Sequence, residues 1–505
     1  MTDVADANPS GEGRRLWLWV LAGLLALLAG GIFAGLTRLQ AQPVPAPQWV
    51  VDRVNAQADA LLPDATLEFR NIRLGMDPDY HPQIYLDDVT VAQGEGLPLV
   101  DMRSVQGDLS IGALLSGEVE LRRVELSGAV LKVARAQDGS FDIAIGQSES
   151  QEIRQISELG DLFGVLDGAL AAPDLDGLVE VAAEGITINY TDVGSGQTWT
   201  GDGGQMRLFR EGGSLLLTAD AALLTGRQDL AALSISISRD GSTGEAVLSV
   251  VIEDAAAADI AQQVPALAWL SAVDAPLSVA FRAKLESEGL ATLSSTLELG
   301  AGVLQPNPST RPIPFSDAIV TLEYDPIEGR IQFDEFVLDT AWGQASAQGN
   351  AQLQAFDGVL PREIVGQFRF DNLEGALGGL YETPERLEKV SADFRLRLDP
   401  FTLDIGQAVV VDGESTLVAT GQIRAQREGW EVALDLGIDE VEAPRIKELW
   451  PQSVRPNLRR WVVNNIEGGT AHQVSWSVRA RPGEPVDISS SQHFRDAEMR
   501  VLRTL

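Results

Sequence analysis

The sequence predicts a mainly β protein: an N-terminal transmembrane helix, then an elongated, repetitive antiparallel β-sheet or β-groove with a few short helices. Three observations predict it. An uncharged apolar run opens the chain, period-two alternation dominates everything after Thr66, and hairpin-type turn signals recur between the alternating runs. At 505 residues the chain exceeds what one hydrophobic core usually serves, so about three domains or one repetitive array are expected. The 38 basic residues are outnumbered by 73 acidic ones, for a net charge of −35, and such a surface repels phosphate backbones. No nucleic-acid partner is expected. Cysteine is absent, which excludes disulfides, thiolate catalysis and thiolate metal sites together.

From Leu16 to Leu36 the chain runs without a charge. At about 1.5 Å per helical residue this run covers the roughly 30 Å hydrocarbon core of a bilayer. Trp17 and Trp19 fit an interfacial aromatic belt, and Arg14 and Arg15 against the single Arg38 favour a cytoplasmic N-terminus. Residues 1–15 are therefore expected to be a cytoplasmic tail, residues 16–37 a retained anchor, and the body exported. A cleaved signal peptide is the rival, but its apolar core would be shorter, and Leu39-Gln40-Ala41-Gln42 is a poor cleavage site.

After a Pro-rich spacer, Trp49, Val50, Val54, Ala58, Leu61 and Leu62 recur at helical spacing until Pro63. Packing under the first sheet is favoured over lying on a membrane. Strand alternation then takes over, clearest in Leu233-Ser-Ile235-Ser-Ile237, Phe394-Arg-Leu396-Arg-Leu398 and Val432-Ala-Leu434-Asp-Leu436. Asp138-Gly139, Asp240-Gly241 and Asp412-Gly413 punctuate the runs as turns. Helical patterns are confined to about 153–170, 255–270, 373–390 and 444–466, too few for a doubly wound α/β enzyme. The expected organisation is a module at 43–150, a β-rich module at 151–310 and repeated β-modules over 311–505. The repeat is read from Leu322-Glu-Tyr-Asp325-Pro326, followed by Ile331, Val337 and Gly349, and Leu396-Arg-Leu-Asp399-Pro400, followed by Ile405, Val411 and Gly421. The first two offsets from proline agree and the third differs by two residues, which predicts a solenoid-like stack of units.

Chemistry-bearing motifs are lacking. His81, His472 and His493 stand far apart in sequence without metal-ligand spacing, and no nucleophile elbow, P-loop or dinucleotide fingerprint occurs. Asp77-Pro-Asp79 and Asp87-Asp88 lack the glycine and terminal glutamate of a calcium loop. No catalytic residue, metal or cofactor is expected, and the chain is read as a non-enzyme.

The stretch from Val105 to Ile145 holds Leu114-Leu115-Ser116-Gly117 and Asp138-Gly139-Ser140-Phe141, and it resembles the N-terminal module of the AsmA-like family. The strand from Thr66 to Leu74 and the preceding anchor sit where that family places them. The segment from Leu449 to Gly469, a Pro/Arg-rich helix with a tryptophan followed by a glycine pair, is similar to the YhdP-like branch. Members of that branch are usually much longer, so the chain is expected to be a truncated or split N-terminal part.

The resemblance implies a bridge-like lipid transfer protein, held as a single-pass protein in the inner membrane of a Gram-negative envelope with its body in the periplasm. It would carry phospholipid toward the outer membrane and support outer-membrane lipid homeostasis. Acyl tails would lie along Leu233, Ile235, Ile237, Phe394, Leu396, Leu398, Val432, Leu434 and Leu436. Exposing an acyl chain to water costs about 0.8 kcal/mol per CH₂, so an apolar lining answers the need without catalysis. Outer-membrane or periplasmic envelope proteins are the expected protein partners. Two other readings stay open: a scaffold that assists outer-membrane protein assembly, as proposed for the related TamB-like proteins, and an exported enzyme acting on polysaccharide.

Overall fold

Alternation fixes which side chains share a face, and hairpin turns fix which strands are neighbours; together they build one long sheet. In the computed structural model the described residues run from 31 to 500. Outside them are 32, 62–64, 94–96, 117–119, 137–140, 146–153, 157–176, 195, 225–229, 262–264, 287–288, 358–359, 376–384, 388, 413–414, 451 and 453–454. The expected anchor residues Leu16, Trp17 and Trp19 lie outside the described residues, and residues 33–41, which include Leu36, form helix α1. Among the described residues no helix is long and apolar enough to cross a membrane.

The N-terminal part holds β1 (Val44–Pro45), helix α2 (Gln48–Leu61), β2 (Ala65–Glu68), β3 (Asn71–Met76), β4 (Pro82–Gln93) and β5 (Leu97–Leu109). Helix α3 (Ile111–Ser116), β6 (Leu121–Ser127), β7 (Val130–Arg135), β8 (Phe141–Ile145) and β9 (Arg154–Ile156) follow. Helix α2 packs under this first sheet: Val50 is buried beside Ile72, Ile84, Leu86, Val89 and Leu109, while Trp49 points to solvent. The pattern read as helix over 153–170 is strand at Arg154–Ile156, and its remainder lies outside the described residues.

β10 (Glu180–Asp192) pairs parallel with β6 and then β7, the one parallel junction among the described residues. From there the chain meanders antiparallel through β11 (Gln197–Glu211), β12 (Ser214–Leu224), β13 (Ala231–Arg239) and β14 (Ala246–Ala256). Helix α4 (Ala257–Ile260), a 3-10 segment (Pro265–Ala272) and β15 (Val273–Asp274) precede β16 (Pro276–Glu286) and β17 (Gly289–Leu299). β18 (Gly302–Leu304) and β19 (Ile313–Phe315) join β15 in a small second sheet. The main sheet resumes with β20 (Asp317–Asp325), β21 (Arg330–Thr340), β22 (Gly343–Asp357), β23 (Leu360–Gly375), β24 (Glu385–Leu387) and β25 (Lys389–Arg397). β26 (Thr402–Asp412), β27 (Ser415–Gln426) and β28 (Gly429–Glu442) lead to helices α5 (Ala443–Leu449) and α6 (Pro456–Asn465), then β29 (Ile466–Ala480) and β30 (Asp487–Met499). Among the described residues 27 strands share the main sheet.

The helical pattern read near Leu373–Val390 is corrected at both ends. Leu373 pairs across strands with Leu387, and β25 begins at Lys389, so cross-strand pairing overrides the local spacing there; 376–384 lie outside the described residues. The helical readings near 255–270 and 444–466 coincide with α4 plus the 3-10 segment and with α5 plus α6.

Because successive strands run antiparallel, their connections fall on alternate rims. One rim carries tight links such as 212–213, 326–329, 398–401 and 427–428, and Gly212 and Gly213 both take positive φ in the first of them. The opposite rim carries the long connections: α4 and the 3-10 segment, the small sheet, and the α5–α6 pair. These inserts turn back over the sheet.

Two four-strand units repeat. β20 to β23 have 9, 11, 15 and 16 residues, and β25 to β28 have 9, 11, 12 and 14. In both, the second strand bulges against the third: Phe333 and Phe336 oppose Gly349 and Ala347, and Ile405 and Ala408 oppose Gly421 and Ala419. Every one of these pairs is offset by 72 residues (333 to 405, 349 to 421). The Asp-Pro motifs are not equivalent, since Pro326 opens its four-residue link and Pro400 is the third residue of the corresponding link. The repeat therefore stands, but its residue-by-residue match is set by bulges rather than by the prolines.

Candidate functional site

The inner face of the sheet is a set of continuous apolar rows. From Ile235 on β13 the register runs through Val250, Phe281, Ser295, Leu322, Phe333, Gly349, Phe368, Ala392, Ala408 and Ala419 to Leu436 on β28. The neighbouring row from Ile237 reaches Phe394, Ile405, Gly421 and Leu434. Leu396 and Val432 share a further row through Leu403 and Ile423, and Leu233 begins the row that ends at Ile438. Eight of the nine expected lining residues thus occupy one face. Leu398 continues their alternation just past β25, where its amide donates to the Arg362 carbonyl at 3.1 Å.

Bulges preserve this face. A strand that merely lost register by one residue would turn its apolar side chains outward, whereas the bulges after Phe333 and Ile405 return Phe336 and Ala408 to the same side. Glycines make room within the rows. A Cβ at Gly349 would meet the Phe368 ring and the Gln367 carbonyl, and one at Gly421 would meet Leu434 and the Ala433 carbonyl. Phe368 uses that space to stack on Phe394, with centroids 5.4 Å apart and planes 6° apart, and to meet Phe333 at 5.1 Å.

The face is sealed in one stretch and half open in another. Under the 3-10 segment, Leu267 and Leu270 close onto Leu277, Leu297, Val320 and Ile331, all 0% exposed. Within that seal the Ser295 hydroxyl, in a residue 3% exposed, has no hydrogen-bond partner, and neither has the indole nitrogen of Trp269 in the 3-10 segment. On β25 to β28, by contrast, Phe394, Leu396, Leu403, Ile405, Ile423, Val432, Leu434 and Leu436 are all only half-buried. Leu233 and Ile235 are half-buried as well, and Ile237 is buried in a small cluster with Ala246 and Leu285.

The outer face is mainly polar, with Leu216, Val251, Ile319 and Val411 exposed among its polar residues. Asn350, Gln352, Gln367, Asp393 and Arg395 line an open depression of about 790 Å³. On β28 and β29, Arg479 donates to both Asp435 oxygens at 2.8 and 2.9 Å and the Ser477 hydroxyl donates to the same carboxylate at 2.6 Å, which holds the Asp435 carboxyl below its ordinary range. Among the described residues no group of three metal-ligating side chains converges. Register does bring His472 opposite His493, with Glu440 across from His472, a ladder that sequence spacing did not reveal.

No protein-family model, curated protein or solved structure matches the chain. The site's chemistry is that of a two-sided sheet: it offers hydrocarbon contact along one face and ordinary ion pairs on the other. Sequence reasoning found the apolar strands but not which of them stay uncovered, because an insert such as the 3-10 segment seals not only the adjacent β16 but also Val320 and Ile331, which only the register brings beneath it.

Proposed function

We propose that this protein is an AsmA-like, YhdP-like bridge that carries phospholipid acyl chains along the inner face of its sheet between the two membranes of a Gram-negative envelope. The carrying observation is the half-exposure of a run of apolar side chains on one face of β25 to β28, from Phe394 and Leu396 to Leu434 and Leu436, where a closed domain would bury them. Acyl chains laid on that face regain the contact that water denies them, at about 25 cal/mol per Å² of apolar surface covered. Headgroups stay in solvent at the rim. In this reading the run Leu16–Leu36 anchors the chain in the inner membrane, and the body lies in the periplasm.

Site-specific photocrosslinking in cells tests the reading. A photoreactive residue at Leu396 or Leu434 should yield phospholipid adducts by mass spectrometry, and one at the outward Arg395 or Asp435 should not. Adducts at neither pair, or equally at both, would remove the lipid route; outer-membrane barrel proteins crosslinked at the inward positions instead would make the chain a scaffold.

A further inference from the structure

Helices α5 and α6 invert the charge of the chain. From Ala443 to Asn465 the basic residues Arg445, Lys447, Arg455, Arg459 and Arg460 stand against one acid, Glu448, a local net charge of +4 in a chain of −35. The pair is firmly seated: Ile446, Trp450 and Val462 are buried with Ile438 and Val474 of the sheet. The Arg459 guanidinium donates to the Trp450 carbonyl at 2.8 Å, and Arg455 donates to the Ile488 carbonyl of β30 at 2.8 Å. Yet α6 turns Trp461, 52% exposed, and Leu458, 39% exposed, to solvent three residues apart on one flank, and Arg460, also exposed, lies further round the helix beside Asn457. A helix so anchored presents that surface in a fixed orientation.

We propose that the outward face of α6 docks onto the headgroup layer of an anionic phospholipid bilayer. Indole and leucine side chains favour the boundary between headgroups and acyl chains, and guanidinium and ammonium groups pair with lipid phosphate. Charge complementarity selects this occupant, because a chain of net charge −35 is repelled overall by an anionic membrane while the helix pair, flanked by Glu442 and Glu467, itself carries +4 that acts within the screening length of about 8 Å. The proposal is independent of the groove: a closed inner face would leave α6 unchanged.

The absence of cysteine permits a single reporter on the full chain. Leu458→Cys carries an environment-sensitive fluorophore, and Ser489→Cys on β30 serves as the control site, with the N-terminal apolar run held in a phosphatidylcholine nanodisc. Phosphatidylcholine vesicles containing phosphatidylglycerol should brighten and blue-shift emission at 458 and leave 489 unchanged. Combining Lys447→Glu with Arg460→Glu should weaken the response about tenfold or more, as should high salt, and Trp461→Ser should reduce the shift. No shift at 458, an equal shift with phosphatidylcholine alone, or a shift that follows protein concentration without vesicles, the sign of a second copy on this face, would each overturn the proposal.

Discussion

Strands β16, β17, β20 and β21 and strands β25 to β28 present the same alternation on the same face of one sheet, yet the first group is sealed and the second is half open. The difference lies in the connections. Between β14 and β16 the chain adds α4 and the 3-10 segment, which fold back and lay Leu267 and Leu270 on the sheet. The next long helical insert on that rim that the structure describes, α5 and α6, covers Ile438 and Val474 at the far end of the second group and leaves Leu434 and Leu436 half-exposed. A strand's own sequence says which side is apolar. Whether that side becomes core or surface depends on what the rim brings over it.

The largest expected effect separates the two groups by charge. Val320→Asp places an unpaired carboxylate in the sealed stretch, where the penalty is several kcal/mol, and should abolish folded chain by circular dichroism and protease resistance. Leu434→Asp on the half-open stretch should fold and lose only its lipid adducts. Equal unfolding by both would make the second stretch a core.

Truncation sharpens the same contrast. Leu297→Ala should cost about 2–5 kcal/mol, and Leu436→Ala less than about 1.5 kcal/mol, read as shifts in urea midpoints followed at several probes because a repetitive sheet need not unfold in one step. Gly349→Ala and Gly421→Ala come next, at about 1–3 kcal/mol each, since either new methyl would crowd a neighbouring carbonyl. Similar costs would support the 72-residue equivalence of the two sites (349 to 421); a large cost at only one would break it.

The smallest effect is electrostatic. The Ser477 and Arg479 hydrogen bonds hold the Asp435 carboxyl below its ordinary value, so their stabilisation is present above the unfolded carboxylate pKa of about 3.9 and fades as pH falls through the lower folded value. Asp435→Asn should flatten the acid limb of an unfolding-midpoint profile slightly. An unchanged limb would show that solvent already screens this exposed pair.

The apolar strands Leu233 to Ile237, Phe394 to Leu398 and Val432 to Leu436 were legible because side-chain parity in a strand is a local property. The helical segment over 444–466 was legible because Pro444 and Pro456 stand at the starts of α5 and α6 and the apolar spacing is helical. The region near 373–390 was misread as helix because Leu373 answers to Leu387 across a strand pair, which no local window contains. The Asp-Pro motifs aligned two units that the chain actually superposes on its bulges, two residues away.

By itself, then, the sequence determined a one-sided, alternating chain with an apolar N-terminal run, an acidic exterior and turns at regular intervals. These follow from backbone periodicity and residue type alone. The tertiary structure decided the register that joins Ile235 to Leu436 in one row, the 72-residue period (333 to 405), and the sealing of one stretch but not the other. Those depend on bulges and inserts that act only once distant strands are side by side.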